Sequence, residues 1–273
     1  MKRAIRSIVR SDRAWPLLDR TLLRLARYAN LQRTIARREP VLNRAIAAIS
    51  PDLSVRYGVF RGMKYPGRQS VVSPFFPKLV GCYERELEPL LDRICATNYS
   101  EVVDIGCAEG YYAVGLALRL RQAAVYAYDT DPRARDLCGQ MRTLNGVTDR
   151  VTIGTFCSPQ VLMQLPLTRK ALILSDCEGY ERELFTPETV RFLRHHDVLI
   201  EVHDYVDPAI SSYLRQVFDA THQLTVIQSI DDTRKIQQYV VPGLEHLDAS
   251  SKRILLGEYR TGTQEWFFLT PGS

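Results

Sequence analysis

Short apolar runs alternate with helical stretches through the middle of the chain, and no other feature narrows the fold as far. The runs are Glu101–Ile105, Ala124–Asp129, Val151–Phe156, Ala171–Asp176 and Val198–Val202. Between and after them, Tyr111–Arg121, Pro132–Leu144, Tyr180–Arg194 and Pro208–Ala220 carry apolar residues at the spacing of one helix face. Pro132 suits a first helical turn, and Pro187 is a breaking point within its stretch. Parallel strands need long crossovers, so the alternation predicts an α/β, doubly wound, mostly parallel and Rossmann-like sheet with helices on both faces. Two further strands, Leu224–Ile230 and Glu265–Leu269, bring the count to seven and are expected as antiparallel edge strands. The irregular Asp231–Thr263 between them, with a helical piece at Leu244–Leu255, is expected to face a substrate.

This main domain is expected to span residues 81–273, opening with a helix from Tyr83 to Asn98. Ahead of it, Gly58, Gly62 and Gly67 punctuate an aromatic segment that reads as a β-hairpin in a 51–80 linker. Residues 1–50 read as an α-helical extension, and the net charge of +5 is concentrated there: twelve Lys/Arg against three Asp/Glu give +9, leaving −4 for the rest. A mildly acidic domain does not advertise a phosphate-tracking groove, which argues against a nucleic-acid partner. The basic helix around Leu17–Ala29 offers a surface for a lid, a homodimer contact or a peripheral membrane contact with anionic lipid. No stretch reaches the ~20 apolar residues of a membrane span, and the Arg-studded start lacks the apolar core of a secretory signal. The six cysteines form no C-x-x-C pair, so reduced thiols and a cytoplasmic location are expected.

In an open doubly wound sheet a ligand sits beyond the carboxyl ends of the strands, which directs attention to the loop after the first strand. It runs Asp104-Ile105-Gly106-Cys107-Ala108-Glu109-Gly110, a G-x-x-x-G turn without the middle glycine that a dinucleotide pyrophosphate requires. S-adenosylmethionine has no pyrophosphate but an ammonium and a carboxylate, which Asp104 and the loop N–H groups satisfy between them. Gly106, Ala108, Glu109 and Gly110 are accordingly assigned to the methyl donor. Asp129 ends the second strand near the ~20-residue offset of a carboxylate that grips ribose hydroxyls, with Thr130 beside it. Phe156 and Cys157 are placed to border the adenine, and Tyr83 and Glu84 to reach the donor from the preceding helix.

Ser175-Asp176-Cys177-Glu178-Gly179-Tyr180-Glu181 follows the fourth strand, and Ile200-Glu201-Val202-His203-Asp204 closes the fifth. Adjacent parallel strands would bring both to one rim. A hydroxyl nucleophile must lose its proton during attack, and His203 has the intrinsic pKa to take it near neutrality. Asp176, Glu178 and His203 are assigned as the reaction centre, Asp176 bordering the donor as well; Glu181 reads as surface. With Glu201 the same residues would also suit a hard divalent ion such as Mg²⁺, but no tight ligand spacing demands one and no metal is assigned. Arg260 and Lys252 read as solvated, or as contacts for an acidic acceptor.

Asp176-Cys177-Glu178-Gly179-Tyr180-Glu181 resembles the D-V-E-G-x-E signature of FkbM-type methyltransferases, with Cys177 where Val is usual. The likeness extends to Tyr83-Glu84, the 104–110 loop, Glu201-Val202-His203 and an aromatic final strand (Trp266, Phe267, Phe268), covering roughly residues 80–270. It implies a class I methyltransferase fold and S-adenosylmethionine-dependent O-methylation of a small-molecule hydroxyl, on a sugar or a secondary metabolite. Gly106-Cys107-Ala108-Glu109-Gly110 departs from the commoner G-A-N-x-G form. Three rival readings stand beside it. A nucleic-acid methyltransferase using the basic N-terminus would lack an N-P-P-Y-like run after the fourth strand. A nicotinamide-dependent dehydrogenase would lack the middle glycine and a Tyr-x-x-x-Lys dyad. The last rival is a non-catalytic adaptor that docks by its basic helices.

Overall fold

A computed structural model describes residues 38–260 and 262–272; the basic helix expected around Leu17–Ala29 lies outside them. Residues 38–49 form helix α1, and Ile46–Ser273 make one compact unit. There follow α2 (Phe75–Val80), a 3₁₀ turn (Arg85–Leu87), α3 (Glu88–Ala96), β1 (Glu101–Ile105), α4 (Tyr111–Arg119), β2 (Ala124–Tyr128), α5 (Pro132–Leu144), β3 (Val151–Gly154) and α6 (Pro159–Met163). The second half holds β4 (Ala171–Ser175), α7 (Glu181–Leu184), α8 (Pro187–Phe192), β5 (Asp197–Val202), α9 (Ile210–Phe218), β6 (His222–Gln228), α10 (Asp232–Gln238), α11 (Ala249–Leu256) and β7 (Glu265–Pro271).

The seven strands form one sheet in the order β3-β2-β1-β4-β5-β7-β6, with β1 to β5 parallel and β7 antiparallel to both its neighbours. The α/β, doubly wound class expected from the alternation is therefore the class observed. Burial explains why the central runs are so apolar: every residue of β1, β4 and β5 is buried, because helices cover both faces of a parallel sheet. Val103, Ile173, Ile200 and Phe267 carry this core across the sheet toward Phe185 and Phe218 on one face. The edge strand β6 is mostly exposed and correspondingly polar. Local chemistry sets the helix starts: Asp131 accepts from Arg133 N ahead of Pro132, and Thr186 accepts from Thr189 N ahead of Pro187, splitting the expected Tyr180–Arg194 helix in two. No helix among the described residues is long and apolar enough to cross a membrane.

Several expectations change. In the 51–80 segment the hairpin is reduced to one antiparallel bridge, Ser54↔Lys64, flanked by Val55 N to Met63 O and Tyr65 N to Leu53 O; the chain turns back at Gly62 (φ 91°), sets Phe60 edge-on against Tyr111, 5.1 Å away, and ends in α2. The helix expected from Tyr83 begins only after Glu84, whose left-handed φ of 48° breaks the α path. β7 is not an edge strand: Phe267 pairs with Ile200 on one side and Val226 on the other. The Asp231–Thr263 segment carries two helices, α10 and α11, rather than one.

Candidate functional site

The carboxyl ends of β1, β2, β4 and β5 open into a cavity of about 510 Å³, a volume usual for small-molecule sites. β1 has β2 on one side and β4 on the other, so the cavity lies where the crossover direction reverses.

One wall is the loop after β1. Gly106 N and Cys107 N both donate to Tyr128 O, at 2.8 and 3.0 Å, and Gly110 N donates to Cys107 O. Gly106 has φ 86°, and a Cβ there would fall 1.7 Å from the carbonyl oxygen of Asp176, so only glycine lets the β1 and β4 loops meet. Asp129 stiffens the turn, accepting from Ala108 N and Asp131 N at 2.8 Å each, one bond to each carboxylate oxygen. A carboxylate oxygen has a second lone pair, so Asp129 can still accept from a ligand hydroxyl. Gly106, Ala108, Asp129, Thr130, Phe156 and Cys157 all line the cavity, and Phe156 tilts against Tyr180 with ring centroids 5.3 Å apart.

Three sequence-assigned residues stand elsewhere. Glu109 turns away into an ion pair with Lys78 (2.5 Å) and accepts from Ser70 Oγ and Val71 N, which fastens the 70–78 segment to the loop. Gly110 caps α4 against Cys138, where a Cβ would meet the sulfur at 2.9 Å. Asp104 is buried behind the wall with neither oxygen hydrogen-bonded. Burial, reinforced by the charge of Asp176, pushes its carboxyl up to about 8.

The opposite wall is made by segments distant in sequence. Tyr83 and Glu84 line it, and the buried Glu84 carboxylate receives the Tyr112 hydroxyl and the Arg260 guanidinium, the latter at 2.6 Å. Burial pushes Glu84 up to about 7, Arg260 restraining the rise. Arg260 is only 12% exposed and also bonds Glu201 at 2.8 Å and Glu258 at 3.1 Å, so it is neither solvated nor free to meet an acidic acceptor. Lys235, fully buried, pairs with Glu258 behind it. Five of the six described non-glycine residues with positive φ (Val72, Glu84, Ala108, Glu178 and Tyr259) line this one cavity, a concentration of backbone strain typical of ligand sites.

At the mouth, Asp176, Glu178 and His203 come together as the strand order requires. His203 Nε2 is 3.3 Å from Asp176 Oδ1 and 3.7 Å from Glu178 Oε2, and the Tyr205 hydroxyl donates to Glu178 Oε2 at 2.7 Å. Glu181 is not on the surface: it is fully buried, and His203 Nδ1–H donates to it, which fixes the imidazole with Nε2 toward the cavity. Burial opposes charge on His203, but hydrogen bonds to Asp176 and Glu181 outweigh it and push the imidazole up to about 10. The near-neutral value expected from sequence is therefore not kept. Lys78 is absent from the sequence reading, while Glu181 and Arg260 are named there in other roles; only the D-x-E-x-x-E spacing, which carries Glu181 on the first turn after the loop, held a signal for its part in the site.

No protein-family model matches the chain, and no curated protein matches it in sequence. Solved structures resemble its backbone. A Klebsiella pneumoniae protein described as an O-methyltransferase is 15% identical with a TM-score of 0.49, over 86% of this chain and 97% of its own. Cofactor-bound Rv0187 from MTB is 14% identical with a TM-score of 0.46, over 85% and 89%. The O-methyltransferase TomG from Streptomyces achromogenes, involved in Tomaymycin synthesis and solved with SAM, is 14% identical with a TM-score of 0.46, over 71% and 82%. At these identities no residue role passes from them to this chain, whose fold class rests on its own strand order.

Proposed function

We propose that the chain is an S-adenosylmethionine-dependent O-methyltransferase of FkbM type, acting on a hydroxyl of a sugar or another small molecule. The observation that supports it most is the joining in one cavity of the Gly106 turn and Asp129 with Asp176, Glu178 and His203. The residues fit a donor that carries positive charge at its sulfonium and ammonium, since Glu84, Asp129, Asp176 and Glu201 all line the cavity. Asp129 meets the ribose hydroxyls, and the aromatic face of Phe156 flanks the adenine. Asp104, behind that surface, acts through the loop rather than by contact.

When bound, the donor supplies an electrophilic methyl carbon: its C–S bond breaks with the electron pair left on sulfur as a C–O bond forms. The acceptor hydroxyl sits at the mouth against Asp176, Glu178 and His203, and its proton passes to this group. The exposed ring of Tyr205 gives the acceptor's body an apolar edge.

Transfer of a labelled methyl group from S-adenosylmethionine to a panel of sugars and other hydroxyl compounds tests this reading. Label recovered as an ether on a hydroxyl compound supports it. Label recovered on RNA alone, or donor binding without transfer to any acceptor, would replace it with the nucleic-acid or the adaptor reading.

A further inference from the structure

The group at the mouth of the cavity also holds the donor set of a cation site. Asp176 follows β4, Glu178 stands two residues on with φ 52°, and His203 follows β5; pairing of these strands (Ser175↔Ile200) gathers all three. One ligand atom from each lies within 4.8 Å of the other two. Neighbouring ligands around a divalent ion, each ~2.0–2.2 Å from it, stand roughly 3 Å apart, and the measured 3.3 and 3.7 Å from His203 Nε2 are close to that.

Two observations beyond the clustering point to a ligand. His203 is 1% exposed and aims Nε2 into the cluster, while the buried Glu181 takes its Nδ1, the carboxylate–histidine pairing that orients metal-binding imidazoles. Asp176 Oδ1 is buried at the same point, and the one partner beside it is His203 Nε2 at 3.3 Å, so it faces the same spot as the imidazole. Without a metal the imidazolium proton balances these carboxylates; a divalent ion would take that proton's place between them.

We propose that Asp176, Glu178 and His203 bind one divalent cation of the Mg²⁺ or Mn²⁺ kind, with Glu181 and Tyr205 holding the ligands in place. Two oxygens to one nitrogen favour an oxygen-seeking ion, and the nearby Cys177 thiol is engaged with Ser175. Three protein ligands leave coordination positions open to the cavity, as catalytic metal sites do. The site itself does not depend on the methyl-donor reading; its role, holding the acceptor oxygen and easing loss of its proton, rests on it.

The test uses the full chain, stripped by a chelator and titrated with Mn²⁺ in the absence of donor and acceptor, with free Mn²⁺ read by electron paramagnetic resonance. One saturable equivalent, displaced by excess Mg²⁺, is expected. Glu178 is 53% exposed, so Glu178→Gln keeps the fold and should weaken binding by about ten-fold or more; Glu181→Gln should weaken it ~10- to 100-fold. Glu188→Gln, an exposed carboxylate in the first turn of α8, should change nothing. Absence of saturable binding, or equal affinity in Glu178→Gln and the parent, overturns the site. Because no donor is present, neither result bears on whether the cavity binds S-adenosylmethionine.

Discussion

The two walls of the cavity are held by different physics. On the β1–β2 side the bonds are backbone-centred and local: Ala108 N reaches Asp129 across 21 positions, and Asp131 N reaches it across two. On the far side they join charges brought together by the whole fold, Arg260 to Glu84 across 176 positions and to Glu201 across 59. A wall of backbone turns depends on where glycine stands. A wall of buried charge depends on one guanidinium, because desolvated carboxylates without their partner are costly.

Replacing that guanidinium should have the largest effect. Arg260→Ala leaves Glu84, Glu201 and Glu258 buried without their common partner and is expected to cost about 3–5 kcal/mol in urea unfolding. Arg260→Lys should recover little, since a single ammonium cannot span three carboxylates. A loss under ~1 kcal/mol would mean that the far wall is not held by these ion pairs. On the near wall, Gly106→Ala sets a Cβ against a backbone oxygen and should cost roughly 2–3 kcal/mol, with donor affinity falling alongside. Unchanged stability would show that the β1 and β4 loops can separate.

Asp104 sharpens the comparison through pH. Its carboxyl stands at about 8 in the fold against an ordinary value of ~3.9 when unfolded. Over that interval the folded chain keeps a proton that the unfolded chain gives up, so this contribution is full below about pH 4 and is lost as pH rises toward 8. Asp104→Asn has no proton to lose, and its stability relative to the parent should rise on the order of 2 kcal/mol between pH 5 and pH 6.5. Thermal unfolding at both pH values measures this; parallel curves would contradict the burial argument. Smallest is Asp129→Ala, expected to weaken donor binding by about ten-fold, or ~1.4 kcal/mol, with only a minor change in unfolding. Equal damage to both would make Asp129 a turn-stabilising residue alone.

The same contrast marks what could be read from sequence. Strand runs and crossovers announce the parallel sheet because burial on both faces leaves a continuous apolar signature, and Gly106, Asp129, Asp176 and His203 follow from strand ends. Glu109 reads as a donor contact because a loop sequence does not say which way a side chain turns; its partner, Lys78, sits in a segment with no periodic signal. Arg260 lies in an irregular stretch where an exposed and a buried arginine look alike. Glu181 reads as surface because the acidic run around it is polar, while tertiary packing sends its carboxylate inward to His203.

Donor binding tests the central claim most directly. Calorimetric titration of the full chain with S-adenosylmethionine, S-adenosylhomocysteine and NAD should give saturable one-site heats for the first two and none for NAD. Heat from NAD alone, or from none of the three, would contradict the assignment of the cavity to a methyl donor.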